Sequence, residues 1–228
     1  LTLLTMIAAN TTSINLATAI LIAPLRSPAL LAKTAASLDA ISNGRLELGV
    51  GLGWQEEEYE ASGIAFDQRG KIFWETLDIC QSLWTGGPVS HKEEMFEFND
   101  IWCHPKPPQG NDIPLLFGVK MTESNAQKIA KIGHGWIPIK TSRDFISEGS
   151  EKLNHAFKEA GRDDKPRIRG QLPTCVDSNG VPSVELTLKE LEKSMEAGLE
   201  EIEVFPINFA QSPDHLREVL ELIGEVKK

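Results

Sequence analysis

The chain has 228 residues, of which 23 are Lys or Arg and 33 are Asp or Glu, so its formal net charge is −10 at pH 7. This balance argues against nucleic acid as a partner, because binding to phosphates requires a concentrated basic surface. Hydrophobic residues make up 41% and charged residues 25%, which is typical of a globular protein with a substantial core. The three cysteines are far apart in the sequence and favour neither a disulfide framework nor a zinc site, so a reduced, cytoplasmic location is expected.

The first 25 residues carry no charge. A membrane span needs about 20 consecutive apolar residues, and residues 10–13 with Asn15 divide this region into shorter apolar segments. No basic segment precedes them, so neither a signal peptide nor a membrane partner is predicted. We expect a buried helix followed by a buried strand. Because the first residue is Leu1, the sequence is expected to begin partway through a larger protein.

Hydrophobic periodicity and helix-ending residues predict strands that alternate with helices. Ser27 is predicted as the N-cap of a helix with Pro28 in its first turn, and Ser212 as the N-cap of the last helix. The predicted elements are helix 1–9, strand 14–22, helix 28–41, strand 46–50, helix 68–84, strand 115–118, helix 123–132, strand 136–139, helix 142–160, strand 168–176, helix 187–197, strand 202–205 and a helix from 213. Residues 86–112 break the alternation and are interpreted as an insertion that includes a small hairpin.

These elements amount to six strand–helix units preceded by one unpaired helix. Strands connected through helices are expected to be parallel, because the crossover helix returns the chain to the same end of the sheet. This pattern is compatible both with a doubly wound sheet and with a (β/α)8 barrel. The first helix needs a strand before it, so a barrel whose first strands lie upstream of the sequence fits the pattern.

In either architecture, ligands bind beyond the carboxyl ends of the parallel strands. After strand 46–50, Gly51 and Gly53 allow close approach of a ligand to the backbone, and Trp54 offers a flat wall. The spacing of these glycines is not that of a dinucleotide-binding loop, and tight packing of the loop is the simpler interpretation of the glycines alone. At the end of strand 14–22, the small residues around Ala19 are compatible with a planar ring lying on the backbone, or with ordinary barrel packing.

The segment from Gly118 to Thr122 precedes a predicted helix. Its backbone N–H groups, the Thr122 hydroxyl and the positive end of the helix dipole predict a phosphate site, to which Lys120 adds a charge. The alternative is that Thr122 only caps its helix.

Other polar residues are assigned structural roles. The glutamates 56–58 are interpreted as the start of a short helix, and Arg69 is expected to pair with Glu75 or Asp67. The five histidines lack metal-ligand spacing, so no metal site is predicted. Three tryptophans are interpreted as packing residues: Trp74, Trp84 and Trp102.

Several motifs together resemble one protein family. The sequence 42–58 (SNGRLELGVGLGWQEEE), continued by 66–70 and 83–85, resembles the bacterial luciferase-like monooxygenase superfamily. The resemblance is closest to the branch that uses 8-hydroxy-5-deazaflavin (coenzyme F420). Residues 14–21, 105–107 and 132–138 support it, so that it spans nearly the whole chain in order.

The resemblance implies a fold. Members of this superfamily are (β/α)8 TIM barrels with an insertion after the fourth strand, which matches residues 86–112. By this alignment residues 1–228 form a single, incomplete barrel domain with six of eight strand–helix units. The first two strands and the first helix are missing.

The resemblance also implies a cofactor site. The family has a bulge with a non-prolyl cis peptide in the third barrel strand, which maps onto Ala19-Ile20. The loop after the fourth strand lies near the cofactor ring, and the loop after the fifth strand holds its phosphate. Relatives often have two glycines in that second loop, where this chain has Val119 in the second position. The implied cofactor-binding residues are Thr18, Ala19, Ile20, Gly51, Gly53, Trp54, Gly118, Val119, Lys120 and Thr122.

The implied activity is hydride transfer between a deazaflavin and a small organic substrate. The alternatives are an FMN-dependent monooxygenase that uses reduced flavin and O2, and a truncated, non-catalytic remnant. The histidine credited with proton transfer in sugar-phosphate and alcohol-oxidising relatives lies on the missing second strand, so no catalytic acid or base is assigned. Such relatives can have a glutamate where this chain has Trp54, which argues against a sugar-phosphate dehydrogenase. Some relatives form homodimers, but this sequence does not determine the oligomeric state.

Overall fold

The computed structural model describes residues 1–140, 142–171, 174–210 and 212–224. The chain divides into two compact units, one formed by residues 1–119 and 132–134, the other by residues 120–131 and 135–228. The α-helices of the described residues are α1 (Thr2–Asn10), α2 (Pro28–Ser42), α3 (Glu56–Ala61), α4 (Arg69–Trp84), α5 (Glu123–Ile132), α6 (Arg143–Glu159), α7 (Val184–Glu196) and α8 (Pro213–Gly224). The strands are β1 (Leu16–Ile22), β2 (Leu46–Gly51), β3 (Val89–Lys92), β4 (Glu97–Ile101), β5 (Leu115–Gly118), β6 (Gly135–Trp136), β7 (Arg167–Gln171) and β8 (Glu201–Glu203).

The predicted alternation of strands and helices is confirmed. Along the chain, a helix follows each of β1, β2, β5, β6, β7 and β8, and α1 precedes them. In the first unit β2 pairs with β1 and with β5, and both pairings are parallel. Every residue of β2 is buried, as expected for a parallel strand that is covered on both faces.

The strands of the second unit are also parallel, since β7 pairs with both β6 and β8. Two glycines permit the close packing. A Cβ atom at Gly135 would lie 2.1 Å from the carbonyl oxygen of Arg167, and one at Gly149 would lie 2.2 Å from the ring of Trp136. The fully buried Trp136 ring therefore packs directly on the backbone of α6.

Arg45, which directly precedes β2, holds the C-terminal end of α1. Its guanidinium group donates hydrogen bonds to the carbonyl oxygens of Ala8 (3.0 Å), Thr11 (2.8 Å) and Ile14 (2.6 Å). The last carbonyls of a helix lack partners within the helix, and a positive charge is favourable there. The last turn of α1 has no basic residue, so Arg45 supplies that charge.

The insertion contains the predicted hairpin, in which β3 and β4 are antiparallel. The buried carboxylate of Glu75 on α4 attaches the hairpin. It accepts hydrogen bonds from the backbone N–H groups of Met95 (3.0 Å) and Phe96 (2.8 Å), and Nε2 of His91 lies 3.0 Å from it. The expected partner Arg69 instead donates to the Phe66 carbonyl at 2.7 Å, so the predicted ion pair with Glu75 is wrong.

A second buried carboxylate fixes the end of the insertion. Asp39 of α2 is 0% exposed. It accepts hydrogen bonds from the backbone N–H of Gln109 (3.1 Å) and from the side-chain amide of the same residue (2.8 Å). The backbone N–H of Leu46 at the start of β2 also donates to it, at 3.4 Å. Asp39 therefore joins a helix, a strand and the insertion within the first unit.

Several predicted boundaries are wrong. Three strands end before their predicted last residues: β6 at Trp136 instead of Ile139, β7 at Gln171 instead of Val176, and β8 at Glu203 instead of Phe205. Pro138 lacks the N–H group that a longer β6 would contribute to the ladder. Residues 172 and 173 of the predicted strand 168–176 lie outside the described residues.

Two predicted helix caps have different outcomes. The Oγ atom of Ser212 accepts from the His215 N–H at 3.1 Å and caps α8 as predicted, whereas Ser27 occupies the N-cap position of α2 without a side-chain cap bond. Trp102 is 53% exposed and stacks on His104, so its interpretation as a packing residue is wrong. None of the helices described has the length and apolar character needed to cross a membrane.

Candidate functional site

The end of β1 carries the backbone feature that the family resemblance implied. The register with β2 shifts between Thr18 and Leu21, and the Ala19–Ile20 peptide bond is cis. The hydroxyl of Thr18 donates to the carbonyl oxygen of Gly49 at 2.8 Å, which ties the residue before the bulge to the neighbouring strand. Ala19 is exposed. The small methyl group of Ala19 therefore leaves this part of the backbone accessible.

The ends of β2 and β5 meet the side chain of Ile20. A Cβ atom at Gly51 would lie 2.8 Å from Cδ1 of Ile20, and one at Gly118 would lie 2.8 Å from Cγ2 of Ile20. Both distances are shorter than Cβ contacts in real structures, so the two glycines make room for Ile20. Ala19, Ile20, Gly51 and Gly118 are called the strand-end cluster below.

The loop after β2 continues from this cluster. Gly53 has a φ of +72°, and a Cβ atom there would lie 3.0 Å from Ile22. A side chain is therefore disfavoured at Gly53 both by the backbone conformation and by the contact with β1. Trp54 follows, and 84% of it is exposed. The loop thus presents a large flat aromatic surface to solvent beside two glycine positions.

Tyr59 is a residue of this loop region that the sequence analysis did not select. It is 0% exposed, and its hydroxyl donates a hydrogen bond to the carbonyl oxygen of Leu52. Burial raises the pKa of the Tyr59 phenol above its usual value, and the nearby Arg69 partly opposes this shift. One feature of the sequence could have identified Tyr59: it is the only tyrosine of the sequence, and it lies among the acidic residues of a short predicted helix.

The second unit contains Lys120 and Thr122, two of the residues predicted to bind phosphate. The Oγ1 atom of Thr122 accepts from the backbone N–H of Asn125 at 3.2 Å, so Thr122 does cap α5. The carbonyl oxygen of Lys120 accepts from the side-chain amide of Asn125 at 2.9 Å and from the backbone N–H of Thr122 at 3.1 Å. Val119, the last residue of the preceding segment in the first unit, is buried.

Lys120 also borders a cavity of about 130 Å³ within the second unit. The lining residues are Lys120, Met121, Trp136, Phe145, Glu148, Gly149 and Lys152. Glu148 and Lys152 form an ion pair, and the hydrogen bond from Lys152 lowers the pKa of Glu148, with a smaller contribution from Lys120. The positive charge near this loop is therefore partly balanced by a carboxylate.

Two other groups of titratable residues lie outside these loops. Glu75, His91 and Glu93 each place one possible metal-ligating atom within 4.8 Å of the others. The hydrogen bonds that Glu75 accepts from the insertion already account for its burial. In the second unit, burial raises the pKa of Glu203, and its Oε1 atom has no hydrogen-bond partner among the described residues.

The structure brings together most of the predicted site residues of the first unit. Thr18 and the strand-end cluster lie on paired strands, while Gly53 contacts Ile22 at the end of β1. Lys120 and Thr122 belong to the second unit, where they form the start of α5. Their role as cofactor contacts stays a prediction.

Comparison with known proteins identifies relatives of this chain. The family described as luciferase-like monooxygenase matches residues 1–190. The uncharacterized protein Rv0953c of Mycobacterium tuberculosis is 38% identical over 161 residues, which cover 70% of this chain and 56% of that protein. The aligned region spans about half the length of the curated relatives that it matches.

Two solved structures are similar to the chain. The coenzyme F420 dependent tetrahydromethanopterin reductase of Methanopyrus kandleri has a TM-score of 0.77 at 17% identity, over 98% of this chain and 85% of that one. The oxygenating constituent of the 3,6-diketocamphane monooxygenase of Pseudomonas putida, in complex with FMN, has a TM-score of 0.65 at 21% identity. The match covers 77% of this chain and 53% of that one. These likenesses confirm the predicted α/β fold of the incomplete barrel type.

Proposed function

Because the chain belongs to the luciferase-like monooxygenase family, we propose that it is an oxidoreductase that binds a deazaflavin and transfers a hydride between this cofactor and a small organic substrate. Relatives with this fold include an F420-dependent reductase and an FMN-containing monooxygenase.

The observation that carries the proposal is the strand-end cluster. Three strand ends converge on Ile20, and side chains larger than hydrogen at Gly51 or Gly118 would displace it. A planar cofactor ring needs a smooth apolar surface, and the Ile20 side chain, seated over the two glycines, provides one beside the exposed methyl group of Ala19. The residues present therefore fit a flat tricyclic group.

In this proposal each part of the rim has a separate task. Ile20 supports the ring from the protein side, because its side chain occupies the space that Gly51 on β2 and Gly118 on β5 leave open. The indole of Trp54 is available to stack on the ring or on the substrate. When bound, the deazaflavin supplies the hydride chemistry at its C5 atom. The protein contributes by holding ring and substrate in a reactive orientation.

The start of α5, in the second unit, is proposed separately as a phosphate site. The hydroxyl of Thr122 accepts a hydrogen bond from Asn125, which leaves its own proton free to be donated. The N-terminal end of a helix favours an anion, and the ammonium group of Lys120 adds a positive charge.

An FMN-dependent monooxygenase is the second candidate, since the similar Pseudomonas putida protein contains FMN. The phosphate-bearing arm is common to both cofactors, so the loop at Lys120 does not discriminate between them. Oxygen consumption in the presence of FMN and a flavin reductase would support this second candidate.

The test is a titration of the purified protein with each cofactor, followed by changes in absorbance and fluorescence. We expect micromolar affinity for the deazaflavin and at least tenfold weaker binding in Gly51→Ala. Gly70→Ala is the matched control, because a Cβ atom at Gly70 meets no atom within 4 Å. Micromolar affinity for FMN without binding of the deazaflavin would refute the first choice.

A further inference from the structure

The loop that carries Trp54 has contacts on both sides. On one side, Gly51 and Gly53 lie against Ile20 and Ile22 of β1. On the other side, the carbonyl oxygen of Leu52 accepts the hydrogen bond of the buried Tyr59 hydroxyl. Tyr59 is 0% exposed, and a buried hydroxyl without an acceptor is costly, so this bond favours the orientation in which the Leu52 carbonyl oxygen points toward Tyr59.

Tyr59 is itself held in place by its surroundings. Its backbone carbonyl oxygen accepts hydrogen bonds from the N–H groups of Ser62 (3.1 Å) and Ile64 (3.0 Å). Its ring meets the ring of Phe66 edge to face, with 5.2 Å between centroids. The guanidinium of Arg69 lies 3.7 Å from the centroid of Phe66 and covers that ring in turn. The Tyr59 hydroxyl is therefore a fixed donor rather than a mobile one.

From this geometry we propose that Tyr59 is a positioning residue, which fixes the loop 51–54 so that Trp54 and the strand-end cluster present one surface to the cofactor. This inference rests on the proposed function of the loop. Tyr59 is buried, so it acts through the Leu52 carbonyl and not by touching the ligand. A phenylalanine at this position keeps the ring packing and removes only the donor.

The experiment compares wild type, Tyr59→Phe and Ser62→Ala by hydrogen exchange without cofactor. Ser62→Ala is the matched control, since it deletes an exposed hydroxyl that donates to the carbonyl oxygen of Glu58 and keeps the bond between Tyr59 and Leu52. We expect about five- to tenfold faster exchange in residues 51–55 of Tyr59→Phe, unchanged exchange in β5, and no change in the loop of Ser62→Ala. Equal loop exchange in all three proteins would overturn the proposal.

Deazaflavin binding is then measured for the same three proteins. We expect Tyr59→Phe to bind about five- to tenfold more weakly, with Ser62→Ala equal to wild type. Affinity equal to wild type in Tyr59→Phe, with faster loop exchange, would overturn the link to the cofactor. If wild type binds no deazaflavin, the proposed function fails, whereas the exchange result still decides whether Tyr59 fixes the loop.

A titration of the wild type provides a test that does not depend on folding of the variant. The protein has one tyrosine, so the tyrosinate absorbance reports on Tyr59 without interference from another phenol. A buried phenol that donates to a carbonyl should ionise above the pKa of free tyrosine, which is about 10. Ionisation at the pKa of free tyrosine in the folded protein would overturn the proposal.

Discussion

Alanine at Gly51 and alanine at Gly118 place a methyl group against different atoms of the same side chain. The nearest Ile20 atom is Cδ1 for Gly51 and Cγ2 for Gly118, in both cases at 2.8 Å. The substitution Ile20→Val removes Cδ1 and retains a methyl group at the Cγ2 position. We therefore expect valine at position 20 to relieve Gly51→Ala but not Gly118→Ala.

The magnitude follows from opposing contributions. Overpacking costs about 1–3 kcal/mol, and replacing glycine by alanine recovers about 0.4–1 kcal/mol by restricting the unfolded chain. Each alanine variant should thus lose about 1–2 kcal/mol in the free energy of unfolding. Relief at Gly51 is partial, because the carbonyl oxygen of Gly118 also lies 3.0 Å from the added Cβ atom. The expected coupling energy with Ile20→Val is about 1 kcal/mol for Gly51 and below about 0.5 kcal/mol for Gly118.

The assay is urea unfolding of wild type, the three single variants and the two double variants. Gly70→Ala serves as the control, because its added methyl group faces open space. Coupling energies of equal size for the two pairs would refute the atom-level assignment. Stability of Gly51→Ala equal to that of Gly70→Ala would refute the crowding itself.

Three further predictions concern buried groups. Gly135→Ala should lose at least about 3 kcal/mol in thermal unfolding, because its methyl group would overlap the Arg167 carbonyl oxygen, which is backbone and yields little. Asp39→Ala should lose about 3 kcal/mol in urea unfolding, since Gln109 loses its charged acceptor; a loss below about 1 kcal/mol would contradict this. Glu203→Gln should unfold at a higher temperature than wild type at pH 7: burial raises the Glu203 pKa, so the wild type loses stability as pH rises through that pKa. The difference should disappear below the unfolded pKa of about 4.3, and a constant difference at all pH values would contradict it.

The sequence predicted the strand-end cluster only in part. The positions of Gly51 and Gly118 at the ends of apolar runs indicated a rim, because parallel strands end at the same edge. Residue types alone do not reveal that both glycines face Ile20, since this depends on a register shift inside β1. The cis bond between Ala19 and Ile20 came from the family resemblance, and no local pattern required it.

Contacts between distant segments were the part that residue patterns missed. Glu75 looked like a partner for the nearby Arg69, yet its acceptors are filled from the insertion about 20 residues later. The Tyr59 hydroxyl donates to the Leu52 carbonyl oxygen, seven residues earlier. Because Tyr59 stands among acidic residues, the sequence pattern did not indicate that its side chain is buried. Hydrophobic periodicity indicates which face of a helix or strand is buried, but it does not identify the hydrogen-bond partners that distant segments supply to polar groups on that face.

The attachment of α1 by Arg45 has a consequence for the order of events during synthesis. The carbonyl oxygens of Ala8 and Thr11 accept hydrogen bonds from the guanidinium group of Arg45, which is 37 and 34 positions further along the chain. A nine-residue helix is too short to persist in water on its own. Until Arg45 has been synthesised, these two carbonyl oxygens lack this partner, so α1 is expected to be less stable before β2 is made than after it.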